Sequence, residues 1–302
     1  MILRENIRRS AELQKLFHDL ISKYEMSFAV VDLKSEQSEL FGCNLDHFIY
    51  PASVYKIFIG AEVLHRIEQG DFSLEQKIIV KSPNDVDKDA RLFPGDTRKL
   101  LSAGDEVTID YLLDLMLTRS DNTASNCLID LVGRESITEN IIHRYGWQGS
   151  EVTRKFLDRI KEDKSYQYSQ TTMSCARHIA EFFSLVARNE LISLFVSQKL
   201  KDYMSRWNSN GKKGLAINEY QSYYCKGGWL ETNLYNHNLF SLFKAIIKKG
   251  WAIIRWSHDA GVVAGKKSHY VVVVMTITKT INPKNIFPLE RVAKQIFDYM
   301  EQ

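Results

Sequence analysis

A serine and a lysine spaced for acyl transfer occur in the first third of the chain. In Ser53-Val54-Tyr55-Lys56 the S-x-x-K spacing would set a hydroxyl and an amine one turn apart on the same helical face. A serine hydroxyl is a poor nucleophile near neutral pH, so it requires a neighbouring base. Lys56 serves as that base if burial and nearby cations favour its neutral form. The pattern predicts Ser53 as a nucleophile.

The S-x-x-K pattern does not identify a site by itself. Ser209–Lys212 and Ser241–Lys244 have the same spacing. Taken alone, Ser53 is better explained as a helix cap, and Lys56 as a solvated side chain. Identifying a site therefore requires further groups of residues.

Two such groups follow in the sequence. Ser120-Asp121-Asn122, which alone would be an ordinary turn, lies in a polar stretch between two helical patterns. The tripeptide is expected by chance in roughly one in twenty chains of this length. Lys226-Gly227-Gly228 lies inside a strand pattern, with Trp229 directly after it. Jointly and in this order, the three groups predict a catalytic site.

The set resembles the motifs of class A β-lactamases and penicillin-binding proteins. The likeness covers nearly the whole chain and includes Gly104–Thr108 and the residues from Ser120 to Asn126. It implies a serine hydrolase acylated by a small-molecule β-lactam or a peptidoglycan-like peptide, without metal or cofactor. In the alternatives, the chain is a penicillin-binding, DD-peptidase-like enzyme with slow deacylation, or a non-catalytic binding protein of the same fold.

The resemblance also implies roles for individual residues. Ser120 would relay a proton to the leaving nitrogen, and Lys56 would be the base. The other implied roles concern substrate binding. Asn122 would contact the amide carbonyl of the substrate, and Lys226 would contact its carboxylate, with Lys212 as a second cation. Gly228 belongs to the K-G-G strand that binds the substrate. The backbone N–H groups of Ser53 and Trp229 would form an oxyanion hole.

The chain departs from the family in the loop that supplies the deacylating glutamate. Val152-Thr153-Arg154 and Leu157-Asp158-Arg159 resemble the entry of that loop, and Thr171-Thr172 resembles its exit. By that alignment the position of the glutamate falls on Lys161, with Glu162 next to it. A carboxylate displaced by one residue would not hold the hydrolytic water well. Glu162 is the candidate catalytic carboxylate, and deacylation is the step expected to be impaired. Lys226-Gly227-Gly228 also lacks the hydroxyl that usually binds the substrate carboxylate in this family.

The periodicity predicts an α/β (α+β) fold, and the resemblance implies that this fold is β-lactamase/transpeptidase-like. An antiparallel sheet built from both chain termini is flanked by helices, and a helical lobe is added. We expect one domain over 1–302, with a sheet lobe (about 1–50 plus 210–302) and a helical lobe (about 51–209). The predicted helices are Arg4–Lys23, Ser53–Gln69, Ile109–Leu117, Ala124–Val132, Thr171–Arg188 and Pro288–Glu301. The predicted strands are Met26–Leu33, Ser38–Cys43, Gln221–Thr232, Ala252–Gly265 and Ser268–Thr280.

An insertion over 233–256 separates two strands that the family joins by a short turn. Its apolar residues follow a helical spacing, so it is interpreted as an amphipathic surface helix, with a lid, a dimer contact and a membrane-surface contact as alternatives. His258 and Asp259 follow it on one strand. Neighbouring strand side chains point to opposite faces, so these two do not form a Ser-His-Asp system with Ser53.

Composition excludes several classes of function. The 40 basic and 37 acidic residues give a net charge of only +3, which argues against nucleic acid as a partner. No apolar run reaches about 18 residues, so no transmembrane segment is expected. The four cysteines lack metal-ligand spacing. No secretion signal is recognisable after Met1. The protein is expected to be periplasmic or secreted if a signal was trimmed, and cytoplasmic otherwise. A weak homo-oligomer stays open.

Overall fold

The chain forms a six-stranded sheet that combines strands from its two ends. The computed structural model describes residues 3–35, 37–86, 96–153, 155–157, 172–206, 215–233, 246 and 249–302. The strand order is β1-β3-β2-β8-β7-β6, and every pair is antiparallel except β1 with β3. The strands of this sheet are β1 (Arg4–Glu5), β2 (Glu25–Asp32), β3 (Glu39–Cys43), β6 (Ser222–Asn233), β7 (Ile253–Ala264) and β8 (His269–Thr280).

Helices cover both faces of the sheet. The helices are α1 (Ile7–Leu16), α2 (His18–Lys23), α3 (Lys56–Glu68), α4 (Ile109–Asp114), α5 (Asn122–Val132), α6 (Arg134–Ile137), α7 (Ala176–Arg188), α8 (Leu194–Ser205) and α9 (Leu289–Met300). In β2, Ala29 and Val31 join the larger core with α3, α5 and α7. Phe28 and Val30 face the opposite way and join the smaller core with α1 and α9. The period-2 alternation of a strand thus divides the protein into two cores.

The predicted fold class is confirmed. The five predicted strands correspond to β2, β3, β6, β7 and β8, and β7 pairs with β8 over twelve residue pairs up to the turn at Gly265-Lys266-Lys267. The runs of Val, Ile and Thr in these strands favour a pleated surface that is buried on both faces. The division into two lobes with the stated boundaries stays a prediction.

Several local predictions are wrong. The helix predicted from Arg4 starts at Ile7, because Arg4 and Glu5 pair with β3, and it breaks at Phe17. Two features were not predicted from the sequence, α8 and a two-stranded sheet of β4 (Lys77–Ile79) and β5 (Glu106–Thr108). Strands of three residues are too short for a period to be recognised.

Two further predictions concern the insertion and the membrane. The proposed helix in the insertion lies mostly outside the described residues, which include only 246 and 249–256 of its second half. Within the described part of the chain, none of the helices has the length and apolarity needed to cross a membrane.

Candidate active site

Ser53 lies in a tight turn that introduces α3. The prediction of an α-helix from Ser53 is corrected here, because Ala52–Tyr55 form a 3₁₀ turn and α3 begins at Lys56. A 3₁₀ turn has about three residues per turn, so the side chains of Ser53 and Lys56 project from the same side of it. Ser53 is 7% exposed, and the residue before it, Ala52, has a φ of +48°. Such strain in a residue with a Cβ is typical of functional sites.

The Lys56 side chain is fully buried within a set of oxygen acceptors. Its Nζ donates to the Ser120 carbonyl at 2.6 Å, to Ser120 Oγ at 3.3 Å, and to the Asp121 carbonyl at 3.3 Å. A fourth contact, at 2.8 Å, is to Asn122 Oδ1. An ammonium only donates hydrogen bonds, so the amide nitrogen of Asn122 points away from Lys56. The lysine thus ties α3 to the S-D-N turn.

Ser120 adopts a left-handed conformation, with φ +60° and ψ +35°. It follows a π-helical turn, Leu115–Arg119, and precedes α5, which begins at Asn122. The predicted loop between the two helices is therefore reduced to two residues. Single π-helical turns are frequent at functional sites because they redirect a side chain. Here the distortion brings Ser120 Oγ to 3.0 Å from the Nζ of Lys226.

A buried ion pair fixes the S-D-N turn. Asp121 Oδ1 caps α5 by accepting from the backbone N–H of Ala124 at 2.8 Å, while Oδ2 lies 2.9 Å from Arg119 Nη2. Arg119 is fully buried and also donates to the carbonyls of Arg98 and Lys99. A buried ion pair of this kind defines geometry more than it adds stability. Asp121 therefore acts as a structural part of the motif.

Strand β6 passes directly beside Ser53. A Cβ placed on Gly228 would lie 2.8 Å from Ser53 N and 2.8 Å from the Pro51 carbonyl, so only glycine permits this approach. Lys226, two residues earlier, is fully buried, and its Nζ also donates to the Gly227 carbonyl at 2.7 Å. Trp229, the next residue, is 55% exposed. The strand thus brings the third motif to the first.

His258 is buried behind Ser53 in β7. Its Nδ1 accepts from the backbone N–H of Thr276 at 3.0 Å, and its Nε2 lies 2.9 Å from the Tyr50 carbonyl. A backbone N–H only donates, so Nδ1 is unprotonated and Nε2–H donates to Tyr50. Burial lowers the pKa of His258 to about 4. The neutral ring therefore connects β8 to the segment that precedes Ser53.

Asp259 points to the other face of the sheet, as strand alternation requires. Its Oδ2 accepts from Leu215 N at 2.7 Å and from the Tyr223 hydroxyl at 3.2 Å. Burial raises its pKa to about 6. His258 and Asp259 do not form a relay to Ser53, in agreement with the sequence analysis.

Replacing His258 by glutamine is expected to remove an acid-sensitive part of the stability. The unfolded histidine has a pKa of about 6.5, against about 4 in the folded protein. The unfolded state therefore binds more protons between these values, so the wild type loses stability as the pH falls from about 6.5 to 4. Urea unfolding at intervals across this range should show a smaller loss in His258→Gln. Parallel curves for the two proteins would contradict this role.

Phe156, in the loop that follows Trp147, contacts the site. The backbone N–H of Phe156 donates to Asn126 Oδ1 at 2.7 Å, and its ring centroid lies 4.1 Å from Lys56 Nζ. Lys161, Glu162 and Lys212 lie outside the described residues. The roles predicted for them from the sequence stay predictions.

The structure brings together Ser53, Lys56, Ser120, Asn122 and the Lys226–Trp229 segment. Phe156 also joins this group, which the sequence did not indicate. Its position directly before the Leu157-Asp158-Arg159 loop entry was the available signal. Among the described residues there is no cluster of three or more His, Cys, Asp or Glu side chains that could hold a metal ion.

Comparisons with known proteins concern the sequence and the fold of the chain. The extended-spectrum β-lactamase PER-1 of Pseudomonas aeruginosa is 27% identical over 135 residues, which are 43% of this chain and 42% of PER-1. The chain thus spans less than half of this curated relative in the match. Among solved structures, PBP-A has a TM-score of 0.73 at 16% identity, covering 100% of this chain and 98% of PBP-A. The extended-spectrum β-lactamase TLA-1 has a TM-score of 0.74 at 18% identity, covering 97% and 99%.

A further similar structure is that of a PBP-A variant. A variant of PBP-A, solved as an acyl-enzyme complex with penicillin G, has a TM-score of 0.70 at 16% identity and covers 100% of this chain and 99% of that protein. At such identities the structures show the fold alone. The model of the β-lactamase enzyme family, by contrast, matches residues 9–300 of the sequence itself. The predicted family is confirmed, and the chain belongs to the β-lactamase enzyme family.

Proposed function

We propose that the chain is a serine hydrolase that is acylated at Ser53 by a β-lactam or a related amide and released by water. The observation that carries the proposal is the hydroxyl of Ser120, which lies 3.3 Å from Lys56 Nζ and 3.0 Å from Lys226 Nζ. Two buried ammonium groups beside one hydroxyl repel each other, which favours proton loss from one of them. That loss supplies the base that Ser53 requires.

In the proposed acylation, Ser53 Oγ adds to the carbonyl carbon of the substrate and its proton passes to neutral Lys56. The carbon–nitrogen bond then breaks, and the proton reaches the leaving nitrogen through the hydroxyl of Ser120. The hydrogen-bonded contact between Lys56 and Ser120 supports this route. No metal or cofactor takes part in these steps.

The remaining residues of the site would orient the substrate. The amide nitrogen of Asn122 is assigned to a substrate carbonyl, and Lys226 attracts a substrate carboxylate. The backbone N–H groups of Ser53 and Trp229 are assigned to the oxyanion, which the close packing of Gly228 against Ser53 supports. Without a hydroxyl at Gly227, affinity for the carboxylate of a β-lactam is expected to be reduced.

Deacylation distinguishes the two candidate functions. Glu162 is the proposed water-activating residue for a true β-lactamase. A penicillin-binding, peptidase-like enzyme would instead keep the adduct for a long time, and the phenyl ring of Phe156 beside Lys56 favours this second candidate. Both candidates share acylation at Ser53.

The experiment that tests the proposal follows the mass of the intact protein after mixing with benzylpenicillin. We expect an increase equal to one penicillin, since ring opening expels no fragment, and we expect peptide mapping to place it on Ser53. Loss of the antibiotic with only a transient adduct indicates the lactamase, and an adduct that persists for hours indicates the penicillin-binding enzyme. Absence of both adduct and turnover, with several β-lactams, would overturn the proposal.

A further inference from the structure

We propose that Phe156 is a positioning residue that lengthens the life of the acyl-enzyme by covering Lys56. The inference rests on the proposed function, because it presupposes acylation at Ser53. It assigns to one aromatic ring a control over the second half of the reaction, the attack of water.

The ring of Phe156 lies between two residues of the S-x-x-K motif. It stacks on the buried Tyr55 with ring centroids 4.8 Å apart and planes only 2° from parallel. The same ring faces the ammonium of Lys56 at 4.1 Å. A cation this close to a ring face is attracted to it, the more strongly the further the cation is desolvated. Phe156 therefore holds the position of Lys56 and covers its Nζ from the loop side.

The loop segment that carries this ring is anchored by hydrogen bonds and an ion pair to Asn126, Asp130 and Asn84. The Phe156 backbone N–H donates to Asn126 Oδ1 at 2.7 Å. The preceding Lys155 places its Nζ 2.8 Å from an Asp130 carboxylate oxygen and 3.0 Å from Asn84 Oδ1. A charged pair and a backbone bond together restrict the segment more than either would alone. The placement of the ring is thus determined by contacts of its own segment with α5.

Hydrolysis of an acyl-enzyme requires a base and room for water. Water adds to the ester carbonyl carbon, the bond to Ser53 Oγ breaks, and one proton of the water returns to that oxygen while the acid is released. Lys56 already donates to four oxygens, and the ring faces its ammonium from the loop side. An apolar ring beside Lys56 offers water no hydrogen bond and lies where water would approach this base. Acylation needs no water, because Ser53 itself carries the proton that Lys56 accepts, so the ring slows deacylation more than acylation.

The test compares Phe156→Leu with wild type by intact mass, with benzylpenicillin as the acyl donor. Acylation is timed after mixing, and deacylation is timed after removal of excess antibiotic. We expect the adduct of Phe156→Leu to decay at least about tenfold faster, a change of about 1.4 kcal/mol in barrier, while acylation changes less than about threefold. Phe156→Tyr, which keeps the ring, should retain the long lifetime.

Phe72→Leu is the matched control. Phe72 is a partly buried aromatic residue on the same core that lies 5.5 Å from the guanidinium of Arg66, away from Ser53. Equal adduct lifetimes in wild type and Phe156→Leu, or an equal shortening in Phe72→Leu, would overturn the inference alone. A wild-type protein that forms no adduct would overturn the proposed function, and the inference with it.

Discussion

Ser53→Ala is expected to form no penicillin adduct and to lose all turnover of β-lactams, at least about a thousandfold below wild type. Without the hydroxyl there is no nucleophile, and the remaining site can only bind the substrate. The alanine fits the same space, since the substitution only removes the Oγ atom. Intact mass measures the adduct, and loss of antibiotic absorbance measures turnover. The free energy of unfolding should stay within about 0.5 kcal/mol of wild type.

The chain provides its own control for this substitution. Ser241 begins a second S-x-x-K tetrapeptide, which ends at Lys244. Ser241→Ala removes a hydroxyl from the same sequence pattern and should acylate at the wild-type rate. An adduct on Ser53→Ala, or its loss in Ser241→Ala, would show that the nucleophile was assigned to the wrong serine.

The fold was largely predictable because its long elements have clear periods. Strands such as β8, with a run from Val271 to Val274, could not be mistaken for loops, and the apolar spacing of α9 marked a helix. The predictions that failed concern elements whose conformation depends on residues far away in the sequence. Arg4 and Glu5 are extended because β3 is beside them, which no local pattern indicates.

The site was predictable in its residues but not in its conformations. Motif order identified Ser53, Lys56, Ser120 and Lys226, which the structure brings to one place. The left-handed Ser120 and the 3₁₀ turn at Ser53 could not be predicted, because residues with a Cβ adopt strained conformations only when surrounding packing imposes them. The ring of Phe156 reaches Lys56 through an anchor on α5, a contact between segments far apart in sequence.

The same limit applies to glycine. In the sequence, Gly228 is one of 15 glycines and part of a short motif. In the structure it is the point at which β6 meets the turn of Ser53, with three backbone atoms within 2.9 Å of where a Cβ would be. Backbone cannot move aside as a flexible side chain does. A methyl group here must therefore push the strand away from the nucleophile.

We accordingly expect Gly228→Ala to slow acylation by at least about a hundredfold, since a displacement near 1 Å at a catalytic group has about that effect. The unfolding free energy should fall by about 1–3 kcal/mol, the usual cost of overpacking. Acylation rates from intact mass and urea unfolding check the two effects separately. Gly60→Ala is the matched control, because its Cβ would meet flexible side chains, Leu200 at 3.3 Å and Leu117 at 3.4 Å, and an alanine favours the interior of α3. Acylation of Gly228→Ala at the wild-type rate would mean that the N–H groups of Ser53 and Trp229 do not have to be held together by this contact.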